Sequence, residues 1–297
     1  MLKSGNKYMK NIIITGANSG LGFETAKKIA KYREYRLILA CRNMQKGDEA
    51  KKQIIAESGN ENIALMELDT SSLDSVRRFA VDYERSDFGS VYALLCNAGI
   101  NGKHSGLTKD GFDVIFETNH LGHFLLTNLL LPFMENDGLI FATSSDMHES
   151  PTGKMDWKGT EYLAHPKGSF ANNSIRYSYS KLCNLYFIYE LAERLKEQGS
   201  SIKVNAFNPG LMKTNFMPLT KASMAFVKLS MPERYGDLEK SSDAYSRLVT
   251  EKGLVKTSGL YYDRSVIAKK SSELSYNIQN RKELWSKSCE YCGLFEC

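Results

Sequence analysis

One alternation constrains this chain more than any other feature: short runs rich in β-branched and apolar residues are each followed by a longer amphipathic segment. "NIIIT" precedes residues 20–32, "YRLILA" precedes 44–57, "NIALMEL" precedes 72–86 and "VYALLCN" precedes 111–135. "GLIFATS", a helical segment over about 175–198, and "IKVNAFN" continue the series. A strand, a crossover helix and a second strand beside the first form the unit of a parallel sheet. The rhythm therefore predicts an α/β fold, a doubly wound (Rossmann) parallel sheet of about seven strands with helices on both faces. With 297 residues and no break in composition, a single domain over residues 1–297 is expected. Ligands of such sheets bind at the carboxyl ends of the strands. Chemistry should therefore stand directly after the β-rich runs.

Four such positions carry it. "TGANSGLG" follows the first run, with Gly16, Gly20 and Gly22 leading into a helix and Asn18, Ser19 and Leu21 between and beside them. Glycines permit a tight turn and a close backbone approach to a pyrophosphate, whose charge a helix N-terminus favours. The second run ends in "LACRNMQKG", which puts Arg42 where NAD-type sites carry an acid that holds the ribose hydroxyls. A guanidinium there suits a 2′-phosphate, so the cofactor expected is NADP(H). The third ends in "ELDTSS", where Asp69 either accepts from an adenine amino group or caps the next helix. In "CNAG" the small residues of Asn97, Ala98 and Gly99 leave room for a cofactor.

"SIRYSYSKLCN" offers two tyrosines to one lysine. The segment has a helical composition. Residues four apart share a helical face and residues two apart do not, so Tyr177 pairs with Lys181 and Tyr179 does not. A phenol of pKa about 10 needs such a neighbour, with water partly excluded, to act as acid or base near neutrality.

Taken together, TG-x-x-x-G-x-G at 15–22, NAG at 97–99, Asn119 in "ETNHLGHF", Ser145 in "GLIFATSS", Y-x-x-x-K at 177–181 and "NPG" at 208–210 resemble the short-chain dehydrogenase/reductase family, over about residues 10–262. The resemblance implies a catalytic group of Asn119, Ser145, Tyr177 and Lys181. Tyr177 would be the general acid in carbonyl reduction and the base in the reverse direction, and Ser145 would hold the substrate oxygen. Lys181 would hold the nicotinamide ribose and lower the phenol pKa, and Asn119 would position a water that relays protons to Lys181. Pro209, Gly210 and Thr214 would line the nicotinamide end, Thr214 as the carboxamide contact. Ser144 is the rival serine, and alternation along a strand sends the two side chains to opposite faces.

"GLTKDGFDVIFETNHLGHFLLTNLLL", "YSYSKLCN" and the closing "ELSYNIQNRKELWSKSCEYCGL" are similar to light-dependent protochlorophyllide reductases, and the first two also to retinol-dehydrogenase-like members. Both groups handle bulky hydrophobic substrates. Leu211 stands where the pigment enzymes carry a functional cysteine, which argues against light-driven pigment reduction. The expectation is an NADP(H)-dependent oxidoreductase acting on a hydrophobic small molecule. A catalytically silent NADP(H)-binding sensor or scaffold is the alternative from another class.

A lid is expected at about 211–236, where Met212, Phe216, Met217, Met224 and Phe226 would cluster beside the nicotinamide, and a helical tail at about 269–297. Phe170, Trp157 and His148 are candidates for one pocket wall, His148 more naturally as a solvated loop residue. Net charge is +5 with the lysines scattered, which argues against nucleic acid. "HFLLTNLLLPFM" is too short to span a bilayer and "MLKSGNKYMK" is no signal peptide, so a cytoplasmic protein without a transmembrane segment is expected. Residues 1–8, ahead of Met9, read as a dispensable extension. The tail cysteines Cys289, Cys292 and Cys297 lack a nearby histidine and read as free thiols rather than a metal site. A homo-oligomer is compatible with all of this.

Overall fold

The computed structural model describes residues 9–149, 155–166, 173–214 and 219–295. Eight strands form one sheet: β1 (Lys10–Thr15), β2 (Tyr35–Cys41), β3 (Ile63–Glu67), β4 (Val91–Cys96), β5 (Met134–Thr143), β6 (Lys203–Asn208), β7 (Tyr261–Asp263) and β8 (Ala268–Lys269). They run in the order β3-β2-β1-β4-β5-β6-β7-β8, parallel throughout except for β8. The eighth strand exceeds the expected seven. It is a two-residue edge that turns back on β7 and is too short to register as a β-rich run.

Helices cover both faces: α1 (Gly20–Ile29), α2 (Met44–Ser58), α3 (Leu73–Arg85), α4 (Val114–Phe116), α5 (Gly122–Leu130), α6 (Thr160–Ala164), α7 (Asn173–Glu197), α8 (Lys221–Ser230), α9 (Leu238–Thr250) and α10 (Ile278–Cys292). The pleat divides the core in two, because successive strand residues point to opposite sides. Ile12 and Ile14 face α1 and α9, with Leu37, Leu39, Phe141 and Tyr245. Ile13 faces α3, α5 and α7, with Ile38, Leu94, Ile140 and Phe124. Central strands buried on both sides need near-continuous apolar runs, and "NIIIT" and "VYALLC" supply them.

The segment expected as one helix over 111–135 is broken. Between α4 and α5 lies a π-helical turn, Glu117–Leu121, and Pro132 tightens the end into a 3₁₀ turn, Leu131–Phe133. The tail contains α10, whose Trp285 packs on Phe124 of α5 and Phe187 of α7. Strand order reverses between β1 and β4, and a cleft opens at the carboxyl ends there.

Candidate active site

A cavity of about 460 Å³ lies at these strand ends, within the range of small-molecule and cofactor sites. Its floor is the loop from β1 to α1. Gly16 and Gly20 have φ of +66° and +57°, where a side chain would be strained. A Cβ on Gly22 would stand 2.5 Å from Asn97 Nδ2 and 2.8 Å from the Gly16 carbonyl oxygen, so only glycine lets α1 settle this close. Ser19 gives α1 no side-chain cap and its first turn holds no acid. The free N–H groups of that turn carry the positive end of the helix dipole, and Gly16, Asn18, Ser19, Gly20 and Leu21 line the cleft. The loop fits an anionic pyrophosphate.

At the next strand end Arg42 is exposed and lines the cleft with Asn43, which caps α2 by accepting from Lys46 N–H at 2.9 Å. Lys46 lines it too, a second cation one turn beyond Arg42 that counting four residues along "RNMQK" could have found. Asp69 lies 4.0 Å from Arg42 and lines the cleft. Its expected alternative role as helix cap fails. Its Oδ1 accepts from the N–H and hydroxyl of Ser71, while Ser72 caps α3 by accepting from Ser75 N–H. After β4, the N–H groups of Asn97 and Ala98 each donate to Thr15 Oγ at 2.8 Å, and Asn97 Nδ2 donates to the Thr15 carbonyl. Thr15 thus sets the shape of the NAG turn, a role the sequence reading missed. Asn97, Ala98 and Gly99 border the cleft.

At the far end α7 carries Tyr177 and Lys181 on one face. The Tyr177 hydroxyl lies near the Ser145 side chain, and both line the cleft. Lys181 Nζ donates to the Thr143 carbonyl at 2.9 Å and lies 5.4 Å from the centre of the Tyr177 ring. Tyr179 points the other way and donates to the Asp156 carbonyl. Burial pushes the Tyr177 phenol up, the neighbouring Ser145 hydroxyl acts against this, and Asp146 adds to the upward shift. Burial pushes Lys181 down to about 8. Without ligand, a neutral phenol beside an ammonium is the state at neutral pH. Both serines border the cleft, but Ser144 spends its hydroxyl on the Lys181 carbonyl, whereas Ser145 Oγ accepts from Met147 N–H at 3.2 Å and stands beside Tyr177.

Asn119, in the π-helical turn, is fully buried behind the cleft lining. Its Oδ1 accepts from Ile100 N–H at 2.8 Å, and its Nδ2 donates to the Ile100 carbonyl and Ser180 Oγ. The side chain ties the segment after NAG to α7, and Ile100 in turn lines the cleft.

Two expected wall residues are corrected. His148 is no solvated loop residue: its Nδ1 bonds the Ser145 carbonyl at 2.6 Å and its Nε2 accepts from Ser272 N–H, joining the turn after β5 to the tail. Trp157 faces Tyr179 and Tyr186 and donates to Glu283, on the side of α7 that Tyr177 does not share. Phe170 lies outside the described residues. Beside His148, Asp146 accepts from Asn208 Nδ2 at 2.7 Å and pairs with Arg264, which also binds Asp263. This network holds the Ser145 turn against the end of β6.

Pro209, Gly210, Leu211, Met212 and Thr214 close the cleft after β6. The chain leaves at Leu211 and returns at Tyr235 through a parallel bridge, with α8 between. Of the expected apolar cluster, Met212 lines the cleft, Met224 is half-buried and Phe226 is 64% exposed instead of facing it. Phe216 and Met217 lie outside the described residues. The tail thiols also need correction: Cys292 is free and buried, but Cys289 is disulfide-bonded. Cys297 lies outside the described residues. Among the described residues no helix is long and apolar enough to cross a membrane.

The model of the short chain dehydrogenase family matches residues 10–156. The chain is 33% identical over 305 residues to retinol dehydrogenase 13 of Homo sapiens, covering 96% of this chain and 85% of that one. It is 39% identical over 210 residues to the WW domain-containing oxidoreductase of Gallus gallus; this match takes in 68% of the chain but spans about half, 49%, of that relative's length. A crystal structure of an uncharacterized protein from Mycobacterium Paratuberculosis superposes with a TM-score of 0.72 at 28% identity, over 96% of this chain and 93% of the other. With the glycine loop and the Ser145–Tyr177–Lys181 group meeting in one cleft, these likenesses agree on one assignment: the chain belongs to the short-chain dehydrogenase/reductase family, among its retinol-dehydrogenase-like members.

Proposed function

We propose that this protein is an NADP(H)-dependent oxidoreductase that moves hydride between nicotinamide and the carbonyl or alcohol of a hydrophobic small molecule. The observation that carries the reading is the meeting of Ser145, Tyr177 and Lys181 at the end of the same cleft that holds the glycine loop and Arg42. A nicotinamide dinucleotide bound there supplies or accepts the hydride. The open first turn of α1 suits its pyrophosphate, and Arg42 with Lys46 suits a 2′-phosphate. Ser145 donates to the substrate oxygen. In reduction Tyr177 gives that oxygen its proton as the carbonyl carbon gains hydride, so the C=O bond becomes a C–OH group; oxidation runs the same steps backward. Lys181 keeps positive charge near the phenol and favours the phenolate that proton donation leaves behind. Relatives named retinol dehydrogenases support an apolar alcohol or aldehyde as substrate class, and Leu211 and Met212 give the cleft apolar surface at that end.

The test is consumption of NADPH by the full chain against a panel of long-chain aldehydes, ketones and quinones in the dark, with protochlorophyllide under illumination as a separate arm. Carbonyl-dependent oxidation in the dark and no light-driven pigment reduction is the expected outcome. Leu211 has no proton to give. Efficient light-dependent conversion would move the assignment to the pigment enzyme, and no turnover of any carbonyl would favour a silent sensor.

A further inference from the structure

His123, on the first turn of α5, is buried and spends both ring nitrogens on groups that belong to the cleft wall. Its Nδ1 meets the Asn119 backbone carbonyl at 3.3 Å and its Nε2 meets Thr15 Oγ at 2.9 Å. Counting protons fixes which nitrogen carries the hydrogen. The Asn119 carbonyl can only accept, so Nδ1 is the donor there. Thr15 Oγ already accepts from the N–H groups of Asn97 and Ala98, which fills both lone pairs and leaves its single proton to give. That proton goes to Nε2, which is closer than the other acceptor in reach, the Leu95 carbonyl at 3.3 Å. The ring is therefore neutral, with its hydrogen on Nδ1. Burial above all keeps it uncharged, and the nearby Lys181 acts in the same sense, against the Asn119 carbonyl.

The two contacts complete a chain of hydrogen bonds behind the cleft. On one side Thr15 holds the turn at Asn97 and Ala98, which borders the cofactor space. On the other, Asn119 Nδ2 donates to Ser180 Oγ at 2.9 Å, and Ser180 Oγ donates to the Tyr177 carbonyl at 2.7 Å. The path thus runs from the turn after β4 to the stretch of α7 that carries Tyr177 and Lys181. Thr15, His123, Asn119 and Ser180 are all buried, so bulk water does not compete for these bonds.

We infer that His123 is a positioning residue for the transfer of hydride and proton: through Thr15 and Asn119 it fixes the spacing between the cofactor turn and the Tyr177–Lys181 pair. Its side chain stands behind the cleft lining and acts only through these neighbours. The glycine loop and Arg42 hold their ends of the cofactor without it, so a slackened bridge costs alignment and hardly affinity. A misplacement of about 1 Å can lower a rate by about a hundredfold. This role rests on the oxidoreductase reading above.

Steady-state turnover of a carbonyl by the full chain, with NADPH affinity from fluorescence titration, is compared among the parent, His123→Leu, His123→Asn and His120→Gln. His123→Leu loses both links, and its kcat should fall at least about tenfold while NADPH affinity stays within about threefold of the parent. An asparagine can donate to the carbonyl four residues back, as Asn128 does to Phe124 at 2.8 Å on the same helix. His123→Asn therefore keeps the Asn119 link and should recover at least about threefold of the lost kcat. His120 lies in the adjoining π-helical turn and is also buried, but bonds Ser288 of α10 at 2.9 Å. His120→Gln should lose stability and keep kcat within about threefold of the parent. Nitrogen NMR of histidine-labelled parent near neutral pH should show the His123 ring protonated at Nδ1 alone. A His123→Leu protein that turns over like the parent, a His123→Asn no better than His123→Leu, or an equal loss in His120→Gln would overturn the role, as would a ring protonated at Nε2. A parent that turns over no carbonyl would sink the oxidoreductase reading and this role with it, whereas the other adverse results leave that reading standing.

Discussion

Arg42 decides between two cofactors by its chemistry, and its surroundings set how strongly. It stands at the end of β2 without an acid beside it in the chain, 64% exposed at the side chain and 4.0 Å from Asp69. A charge-assisted pair with phosphate is worth roughly 1.5–3 kcal/mol, but exposure and the nearby carboxylate pull the effect toward the low end. Replacing Arg42 with Ala should weaken NADPH binding by about tenfold and leave NADH nearly unchanged, read by titrating both against intrinsic fluorescence. Equal affinity for the two cofactors in the parent protein would remove the basis for NADP(H). Residues of this kind are legible in sequence because one position and one charge carry them. Asp69 is not: four polar residues in a row, "DTSS", can each cap a helix, and only the folded turn selects Ser72. His148 is hidden for a different reason, since its burial depends on Ser272, 124 residues away in the chain.

At the scale of elements, helix α5 crosses the loop after β3 so closely that Gly122 has no room for a side chain. A Cβ there would stand 2.1 Å from the Thr70 carbonyl oxygen and 2.9 Å from two further Thr70 backbone atoms. Backbone cannot swing aside as a side chain can. Gly122→Ala should cost about 1–3 kcal/mol, seen as a drop of about 2–4 °C in the melting midpoint per kcal/mol; an unchanged midpoint would refute the packing described here. The adjoining π-helical turn brings a second test. Burial holds His120 down to about 3 and His123 to about 4. The unfolded chain protonates these histidines near pH 6.5 and the folded one does not. Their contribution is therefore complete above that pH and is lost as pH falls toward 4. Burial holds Glu117 up at about 8 and Asp146 at about 6, and both act in the opposite sense, so the histidine effect is read as a difference. The stability of the parent relative to His120→Gln, from urea midpoints, should shrink by about 2 kcal/mol between pH 7 and pH 5. A constant difference would mean that His120 is protonated alike in both states. Sequence periodicity announced one helix over 111–135. It could not announce the π turn, because one extra residue in a turn leaves the apolar pattern nearly unaltered.

Across the whole molecule the sheet brings together residues that are far apart in the chain: the glycine loop at 16–22, Arg42, the turn at 97–99, Ser145, Tyr177 and the segment at 209–214 share one cleft. That convergence could be read from the alternation of strands and helices, since a parallel sheet gathers all its strand ends on one edge. The outward face of the lid could not, because the same methionines and aromatics serve a pocket wall or an exposed stripe equally well, and tertiary packing chooses. The central claim is that Tyr177, and not Tyr179, supplies the proton for hydride transfer in this cleft. The most direct measurement is carbonyl-dependent loss of reduced-nicotinamide absorbance by the parent, Tyr177→Phe and Tyr179→Phe proteins, with NADPH affinity measured on each. The account predicts turnover in the parent, little change in Tyr179→Phe, and a loss of at least about a hundredfold in Tyr177→Phe with NADPH affinity within about twofold of the parent. Undiminished turnover in Tyr177→Phe, or a dead Tyr179→Phe beside it, would contradict the account.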